Sequence, residues 1–290
     1  MNYKNAEYVK EITALWTGER FPDGRPKVAD EVLERMRGIK LEEVWQYLLN
    51  KGYTFQYEGS LKTTQPGKKL VGRAVTTVMV PTRPDLEKAT LDTLAEQKKR
   101  GKFQWILDEI VENDVVVADC FDKIENCTFL GGNLTTNIAR RTVRGGAVIW
   151  GGIRDLEQIQ EIDSVQIYYR ATDPGPMRDG LVSCVNYPCR IGKATCLPGD
   201  IVFGTVSGVL FVPAHLAEEV VISAEKTKLR DIFGFECLST GRYSAGQIDA
   251  AWSAEIWAAF GEWMKVDDRA REFDHLDWTE ELEAAKKQAT

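Results

Sequence analysis

The amino-acid sequence predicts an α/β fold with helical segments at both ends. Between residues 114 and 169, short β-branched runs alternate with stretches of helical periodicity, which is the order typical of an α/β core. Strand patterns with glycines at turn positions follow over 184–212. We therefore divide the chain into a helical N-terminal extension at 1–60, an α/β core at 61–215 and a helical C-terminal extension at 216–290.

The individual elements follow from apolar spacing and from glycine and proline positions. Three amphipathic helices are expected at 8–16, 28–36 and 41–49, and Gly52 ends the third. The core elements are, in order, a strand at 70–80, a helix at 85–100, a strand at 114–119, a helix at 134–143, a strand at 147–150, a helix at 155–162, a strand at 165–169, and strands at 184–191, 192–197 and 201–212. The C-terminal helices carry a stripe that predicts a core or a subunit contact, formed by Ile248, Trp252, Ile256, Trp257, Phe260 and Trp263.

Composition and charge argue against several classes of protein. The 290 residues carry 44 acidic and 37 basic side chains, a net charge of -7, which disfavours a broad nucleic-acid-binding surface. No apolar stretch approaches the ~18 residues of a membrane span, and the first residues lack the apolar region of a secretory signal. We therefore expect a cytoplasmic protein that binds neither nucleic acid nor membrane. The six cysteines lack zinc-ribbon spacing, which predicts reduced, mostly buried thiols.

The first candidate site is the glycine-rich segment 131–135, Gly-Gly-Asn-Leu-Thr, just before a predicted helix. Backbone N–H groups at a helix start, together with the helix dipole, attract a carboxylate or phosphate. Glycine lets a ligand approach the backbone closely. The alternative is that Asn133 is the N-cap of a helix that binds no ligand.

The second candidate site is the segment 145–155, in which a predicted strand ends in a double glycine and is followed by Arg154 and Asp155. Strand C-termini are where α/β folds bind ligands. Arginine offers a planar fork to a carboxylate or enolate oxygen, and a carboxylate can hold a hard cation such as Mg²⁺. The alternative is that Asp155 caps the following helix and Arg154 makes a surface ion pair.

Other chemistries find little support in the sequence. His215 and His275 lie near no serine or cysteine nucleophile motif, which argues against a catalytic triad. The sequence contains no P-loop, no strand–GxGxxG–helix fingerprint and no HExxH motif. A nucleotide-dependent or nicotinamide-dependent enzyme is therefore not indicated.

Four motifs together resemble the RraA-like family. They are Gly-Gly-Asn-Leu at 131–134, Gly-Gly-Ile-Arg-Asp at 151–155, Pro-Gly-Asp at 198–200 and Ser-Gly-Val-Leu-Phe-Val-Pro at 207–213. That family includes the 4-hydroxy-4-methyl-2-oxoglutarate aldolases and the regulator of ribonuclease E activity A, and some members are labelled demethylmenaquinone methyltransferase-like. The resemblance covers roughly 60–215, and the additional terminal helices resemble a longer subfamily.

The resemblance implies a three-layer β/β/α swivelling-type core and a homotrimer, or a hexamer of stacked trimers, with sites between subunits. It implies a lyase of the class II pyruvate aldolase and oxaloacetate decarboxylase type. Such an enzyme needs Mg²⁺ or Mn²⁺ and cleaves a 4-hydroxy-2-oxo acid through a metal-stabilised pyruvate enolate.

The resemblance also implies roles for individual residues. Asp155 matches the metal-binding aspartate, and Arg154 matches the arginine that stabilises the 2-oxo oxygen and the enolate. The backbone N–H groups of Leu134 and Thr135, with Gly132 and Asn133 beside them in the same segment, match the cradle for the substrate carboxylate. The neighbouring subunit is expected to add an acidic group, for which the candidates are Glu218, Glu219, Glu225 and Asp231.

Two departures from the family pattern keep other functions open. The aldolases carry an aspartate with twenty residues between it and the Arg-Asp pair, where this chain has Asn133, or Gly132 in the other alignment. Thr205 stands where many members have an acidic residue. The alternatives are a metal-assisted dehydratase or isomerase of a sugar acid, and a non-catalytic ribonuclease regulator. A methyltransferase is not indicated, because no S-adenosylmethionine glycine loop follows a first strand.

Overall fold

A computed structural model describes residues 5–288 and divides into two compact units, one up to Glu218 and one from Glu219 onward. The first unit begins with three helices: α1 (Ala6–Ile12), α2 (Asp30–Arg37) and α3 (Leu41–Asn50). Helix α1 is shorter than the sequence predicts. It ends at Ile12, and the guanidinium of Arg20 donates to the carbonyl oxygens of Thr13, Trp16 and Gly24, which holds the following segment in a loop.

The first unit contains twelve strands and four further helices among the described residues. The strands are β1 (Tyr57–Glu58), β2 (Lys62–Thr63), β3 (Leu70–Pro81), β4 (Asp114–Asp119), β5 (Thr128–Leu130), β6 (Gly146–Ile153), β7 (Gln166–Thr172), β8 (Gly180–Val185), β9 (Cys189–Ile191), β10 (Ala194–Cys196), β11 (Ile201–Thr205) and β12 (Gly208–Val212). The helices are α4 (Pro84–Glu96), α5 (Gln104–Glu109), α6 (Gly132–Arg141) and α7 (Leu156–Gln160), and a 3₁₀ turn at Ala214–Leu216 follows the last strand. These elements lie close to the predicted ones, and the α/β class is confirmed.

The main sheet is mixed and has the order β1-β12-β11-β3-β4-β6-β7-β2. Strands β3, β4, β6 and β7 run parallel to one another, and β5 adds a parallel pairing to the end of β6. The other pairings in this sheet are antiparallel, and β8 pairs with β3. The carboxyl ends of the parallel strands therefore meet at one edge of the sheet, which is where α/β proteins place ligands.

Alternate residues of the central strands build two separate apolar layers. In β4, Val116 and Ala118 pack in a cluster with helix residues such as Ile106 and Ile138. The intervening residues of β4 pack in a second cluster with Cys189 and Ile191 of the small β9–β10 sheet and with residues of β12. Because side chains alternate along a strand, this pattern produces a helix layer, a main sheet and a small second sheet.

A buried ion pair attaches the N-terminal segment to the central sheet. The guanidinium of Arg25 donates to both carboxylate oxygens of Asp114, at 2.8 and 3.2 Å, and both side chains are buried. Arg25 also donates to Asp23 at 2.9 Å, and the Asp114 carboxylate accepts from the Val111 N–H. The bidentate geometry satisfies both charges where water is excluded.

The second unit is helical, as the sequence predicts. It contains α8 (Ala217–Ser239, which starts two residues before the unit boundary), α9 (Ala245–Asp249), α10 (Ala254–Val266), a 3₁₀ segment (Asp268–Phe273) and α11 (Thr279–Gln288). The predicted aromatic stripe is core: Phe260 is fully buried, and its ring packs edge-on against Phe233 and Trp252 at 5.4 and 5.5 Å. Across the described residues, every helix is too short or too polar to cross a bilayer.

Candidate functional site

Strand pairing brings the two glycine-rich segments together. Strand β5 ends at Leu130, which pairs with Ile153 at the end of β6. Arg154 directly follows Ile153, and its backbone N–H donates to the Leu130 carbonyl at 2.9 Å. Gly131 therefore lies beside Arg154 and Asp155 at the carboxyl edge of the parallel strands.

Asp155 adopts an unusual backbone conformation and turns its carboxylate toward the start of α6. Its φ of 55° and ψ of 41° are left-handed, a conformation that costs a non-glycine residue energy and clusters at functional sites. It occupies the N-cap position of α7 but makes no side-chain cap, so the interpretation of Asp155 as a simple helix cap is wrong. Its carboxylate instead accepts from the Gly132 N–H at 3.2 Å and lies 3.7 Å from the Arg154 guanidinium.

Helix α6 starts two residues earlier than predicted, which changes the residues of the carboxylate cradle. Gly131 is the N-cap, so Asn133 is not, and its side chain is exposed in the first turn. The N–H and hydroxyl of Thr135 both donate to the Gly131 carbonyl, and Thr135 is fully buried. The prediction that the Thr135 N–H binds substrate is therefore corrected. The first-turn N–H groups are those of Gly132, Asn133 and Leu134, for which the helix itself supplies no acceptor.

Gly131 permits the close approach of the site side chains. A Cβ atom there would lie 2.5 Å from the Asp155 carboxylate and 2.9 Å from Nε of Arg154. At Gly132, a Cβ would lie 2.4 Å from the amide oxygen of Gln158. Gly131 thus lets the helix start pack closely on the Arg-Asp pair, and Gly132 does the same for Gln158.

Arg154 borders two cavities of different character. The tail cavity, about 290 Å³, is lined by Gly131 and Leu134, by further apolar side chains and by three uncharged polar ones. The acidic cavity measures about 430 Å³. Asp155, Glu157 and Asp173 line this acidic cavity. The guanidinium of Arg154 borders both cavities, and its side chain is 39% exposed.

The residues present fit a divalent ion that keeps most of its water. Within residues 5–288, no group of three or more histidine, cysteine, aspartate or glutamate side chains is arranged to enclose a metal. Asp173 lines the acidic cavity but already accepts from the N–H groups of Asn126 and Gly175. Mg²⁺ is commonly held by one or two carboxylates, with water and substrate oxygens completing its shell. Asp155, with Glu157 nearby, is compatible with such an ion and not with a closed structural zinc site.

The acidic candidates in the C-terminal helices have different surroundings. Glu225 is buried, and its carboxylate lies 2.9 Å from Nε2 of His275. Glu218 and Glu219 are exposed, and Asp231 is half-buried. Glu225 is thus held within its own unit, whereas the other three carboxylates are more accessible.

Sequence reasoning missed two groups of residues near these strand ends. The apolar wall of the tail cavity comes from distant segments, with Phe103 before α5 and Phe129 in β5. Asp119, at the end of β4, is buried enough to raise the pKa of its carboxyl above the usual value. The position of Asp119, an acidic residue at the end of an apolar run, could have marked it in the sequence as a candidate site residue. No local pattern marks the two phenylalanines as cavity walls.

Comparisons with known proteins agree with this architecture. The family model described as RraA-like, Aldolase/RraA, matches residues 26–211, so α2 and α3 fall inside the matched segment. An uncharacterized protein from Pseudomonas syringae has a similar structure, with a TM-score of 0.63 and 21% identity over 78% of this chain and 100% of that chain. That identity level supports similarity of fold alone.

Two curated relatives align over part of their length. "Protein DlpA" of Legionella pneumophila is 28% identical over 168 residues, which is 56% of this chain and 24% of that protein. "Putative 4-hydroxy-4-methyl-2-oxoglutarate aldolase" of Halalkalibacterium halodurans is 27% identical over 124 residues, 42% of this chain and 57% of that protein. The chain therefore spans about a quarter of the first relative and just over half of the second.

Proposed function

The chain belongs to the RraA-like (Aldolase/RraA) family, and from this membership we propose that it is a divalent-metal-dependent carbon–carbon lyase acting on a 4-hydroxy-2-oxo acid. The observation that carries the proposal is the convergence of Arg154, Asp155 and the start of α6 at the carboxyl edge of the parallel strands. A cation, a carboxylate and backbone donors there match the three needs of such a substrate: charge balance for its carboxylate, polarisation of its 2-oxo group and a place for a hard metal ion.

Substrate binding uses the helix start and the arginine. The N–H groups of Asn133 and Leu134 lie in the first turn of α6, where the helix dipole favours an anion, and they would hold the 1-carboxylate. The guanidinium of Arg154 then lies on the side of the 2-oxo oxygen. Because its charge is fixed before the reaction, it stabilises the negative charge that develops on that oxygen during cleavage.

Asp155 would hold the metal, and when bound the ion supplies Lewis-acid polarisation of the 2-oxo group. The Gly132 N–H orients the Asp155 carboxylate by donating to it at 3.2 Å. The left-handed backbone of Asp155 turns that carboxylate away from α7 and toward the α6 start. The Asp155 carboxylate is thus held in place next to the first turn of α6, where the substrate carboxylate would bind.

The proton of the 4-hydroxyl must leave through a group other than Asn133. An amide donates and accepts hydrogen bonds but does not take up a proton. Glu157 and Asp173 line the acidic cavity beside Asp155 and are the candidate bases on this chain. The exposed Glu218 and Glu219 are the candidates from a neighbouring subunit in the homotrimer, or hexamer, that we propose.

Asn133 also supports a second candidate function on the same scaffold. Without a carboxylate at that position, the site carries less negative charge and lacks one potential base. A metal-assisted dehydratase or isomerase of a sugar acid would use the same Arg154 and Asp155 groups without cleaving a carbon–carbon bond. The presence of Asp155 disfavours a non-catalytic ribonuclease regulator, because such family members lose the metal-binding aspartate.

A pyruvate-release screen tests the proposed function. The purified protein is supplied with oxaloacetate and with a series of 4-hydroxy-2-oxo acids, each with Mg²⁺ or with EDTA. We expect Mg²⁺-dependent pyruvate release, and we expect Arg154→Lys to lower kcat by about 10²-fold, since lysine lacks the planar fork. Dehydrated or isomerised product without pyruvate would favour the second candidate, and no turnover of any compound would contradict the lyase.

A further inference from the structure

We propose that this enzyme prefers 4-hydroxy-2-oxo acids whose C4 substituent is uncharged and apolar, aryl or branched alkyl, over those that carry a second carboxylate. This inference rests on the proposed function and names the substrate class of the same site. It is carried by the tail cavity, which borders both Arg154 and the α6 start, and in which we therefore place the part of the substrate beyond C3.

Five of the ten residues that line the tail cavity are apolar, and the two aromatic ones are well packed. Phe129 is fully buried, Phe103 is 5% exposed, and their rings lie 4.8 Å apart. Phe129 is two residues before Gly131 in β5, so this wall has a fixed relation to the α6 start. Leu134 and Met177 pack against the same core cluster and complete the apolar surface.

Two polar groups of this cavity already make hydrogen bonds within the protein. The Thr128 hydroxyl donates to the Gly175 carbonyl at 2.6 Å. The amide oxygen of Gln104 accepts from the Phe103 N–H at 3.1 Å. At these two groups a polar substrate tail would compete with hydrogen bonds that the protein already makes, whereas an apolar tail displaces only water from the apolar part of the wall.

The charge distribution also disfavours a second carboxylate. Among the described residues that line the tail cavity, Arg154 is the sole cation, and the 2-oxo end of the substrate uses it. A carboxylate lying against the apolar side of this cavity would lose its hydration without gaining a charged partner, which is costly. On the other side of Arg154, the carboxylates of Asp155 and Glu157 would repel it.

The volume is sufficient for such a tail. An apolar cavity of about 150 Å³ accommodates benzene. The tail cavity measures about 290 Å³ and includes the space over the α6 start, so it has room for a phenyl or branched alkyl group attached to a short oxo-acid head.

A paired-substrate experiment tests the inference. The two substrates are 4-hydroxy-2-oxo-4-phenylbutanoate and 4-hydroxy-4-methyl-2-oxoglutarate, both supplied to the Mg²⁺-loaded protein. In each, the C3–C4 bond breaks, the 4-hydroxyl loses its proton to form a carbonyl, and C3 receives the electron pair and a proton to become the methyl group of pyruvate. The second product is benzaldehyde from the first substrate and a second pyruvate from the other.

We expect kcat/KM for the phenyl substrate to exceed that for the dicarboxylate by at least about tenfold, in line with the cost of an unpaired buried charge. Equal or better turnover of the dicarboxylate overturns the inference and leaves the lyase function standing. No carbon–carbon cleavage of either compound, or of oxaloacetate, overturns both.

A variant that adds a positive charge to the tail cavity, compared with an uncharged variant of similar size, distinguishes an effect of charge on substrate preference from an effect of altered packing. Met177→Lys places a cation in the tail cavity, and Met177→Gln is its uncharged control of similar length. We expect the kcat/KM ratio to shift toward the dicarboxylate in the lysine variant relative to the glutamine variant. If Met177→Lys fails to fold, Gln104→Lys with Gln104→Met as its control tests the same cavity, and an unchanged ratio in the folded pair contradicts the inference.

Discussion

The backbone N–H of Gly132 donates to the carboxylate of Asp155 at 3.2 Å, which joins the start of α6 to the second residue after the end of β6. Asp155 adopts a left-handed backbone conformation at this contact, which costs conformational energy for a non-glycine residue. The helix start and the carboxylate are therefore oriented as one unit, so changes to either segment are expected to affect the other.

Asp155→Asn is expected to abolish metal-dependent turnover while preserving the fold. Asparagine tolerates the left-handed conformation, and its amide oxygen can still accept from Gly132, so the free energy of unfolding should change by less than about 1 kcal/mol. The negative charge is lost, so Mn²⁺ affinity measured by calorimetry should fall more than about tenfold. Asp163→Asn removes a carboxylate that is 87% exposed and should leave both readouts unchanged. Unaltered Mn²⁺ binding by Asp155→Asn would remove this residue from the metal site.

Gly131→Ala is expected to damage the site without straining the backbone. Gly131 is extended, with φ of -142° and ψ of -174°, so alanine is allowed there. Its Cβ would press on the Asp155 carboxylate and on Arg154, and misplacing such groups by about 1 Å costs about 10²-fold in kcat/KM. Gly261→Ala in α10 meets nothing within 4 Å and should keep full activity. Wild-type kcat/KM in Gly131→Ala would show that this packing is irrelevant to catalysis.

Arg25→Met is expected to destabilise the first unit strongly. It leaves the Asp114 carboxylate buried without its bidentate partner, which typically costs about 3–5 kcal/mol of unfolding free energy. Adding Asp114→Leu removes the uncompensated charge and should recover part of the loss. The matched control, Lys27→Met, breaks an exposed pair with Glu19 and should cost less than about 1 kcal/mol in urea unfolding. Equal effects of the two single variants would argue against a special role for the buried pair.

Asp200 is expected to make stability depend on pH. Burial raises the pKa of its carboxyl to about 7, although the Leu197 N–H donates to it at 2.8 Å. Because the folded-state pKa lies above the unfolded one, the contribution of the protonated carboxyl to stability is complete below about pH 4 and is lost as pH rises to about 7. The difference in unfolding free energy between wild type and Asp200→Asn should therefore decrease over that interval and remain level above it. A difference independent of pH would mean that Asp200 titrates normally.

Local patterns predicted the secondary structure closely, and the exceptions have physical causes. The runs at 70–80 and 114–119 became β3 and β4 because β-branched residues and a terminal proline define such strands locally. The helix expected through Trp16 ends at Ile12 because Arg20, four residues beyond the apolar pattern, donates hydrogen bonds to the loop carbonyls. The sequence predicts the start of α6 at Leu134 because asparagine is a preferred N-cap residue. In the structure Gly131 is the N-cap instead, so the helix starts at Gly132.

The sequence by itself determined the α/β class, the adjacency of Arg154 and Asp155 and their place after a strand, because apolar periodicity and chain neighbours are local properties. Only the tertiary structure decided that residues 131–134 meet that pair, that Thr135 is used within its helix, and that Phe103 and Phe129 wall the adjoining cavity. Those relations depend on which strand ends pair and in what register, and backbone hydrogen bonds between distant segments set that register.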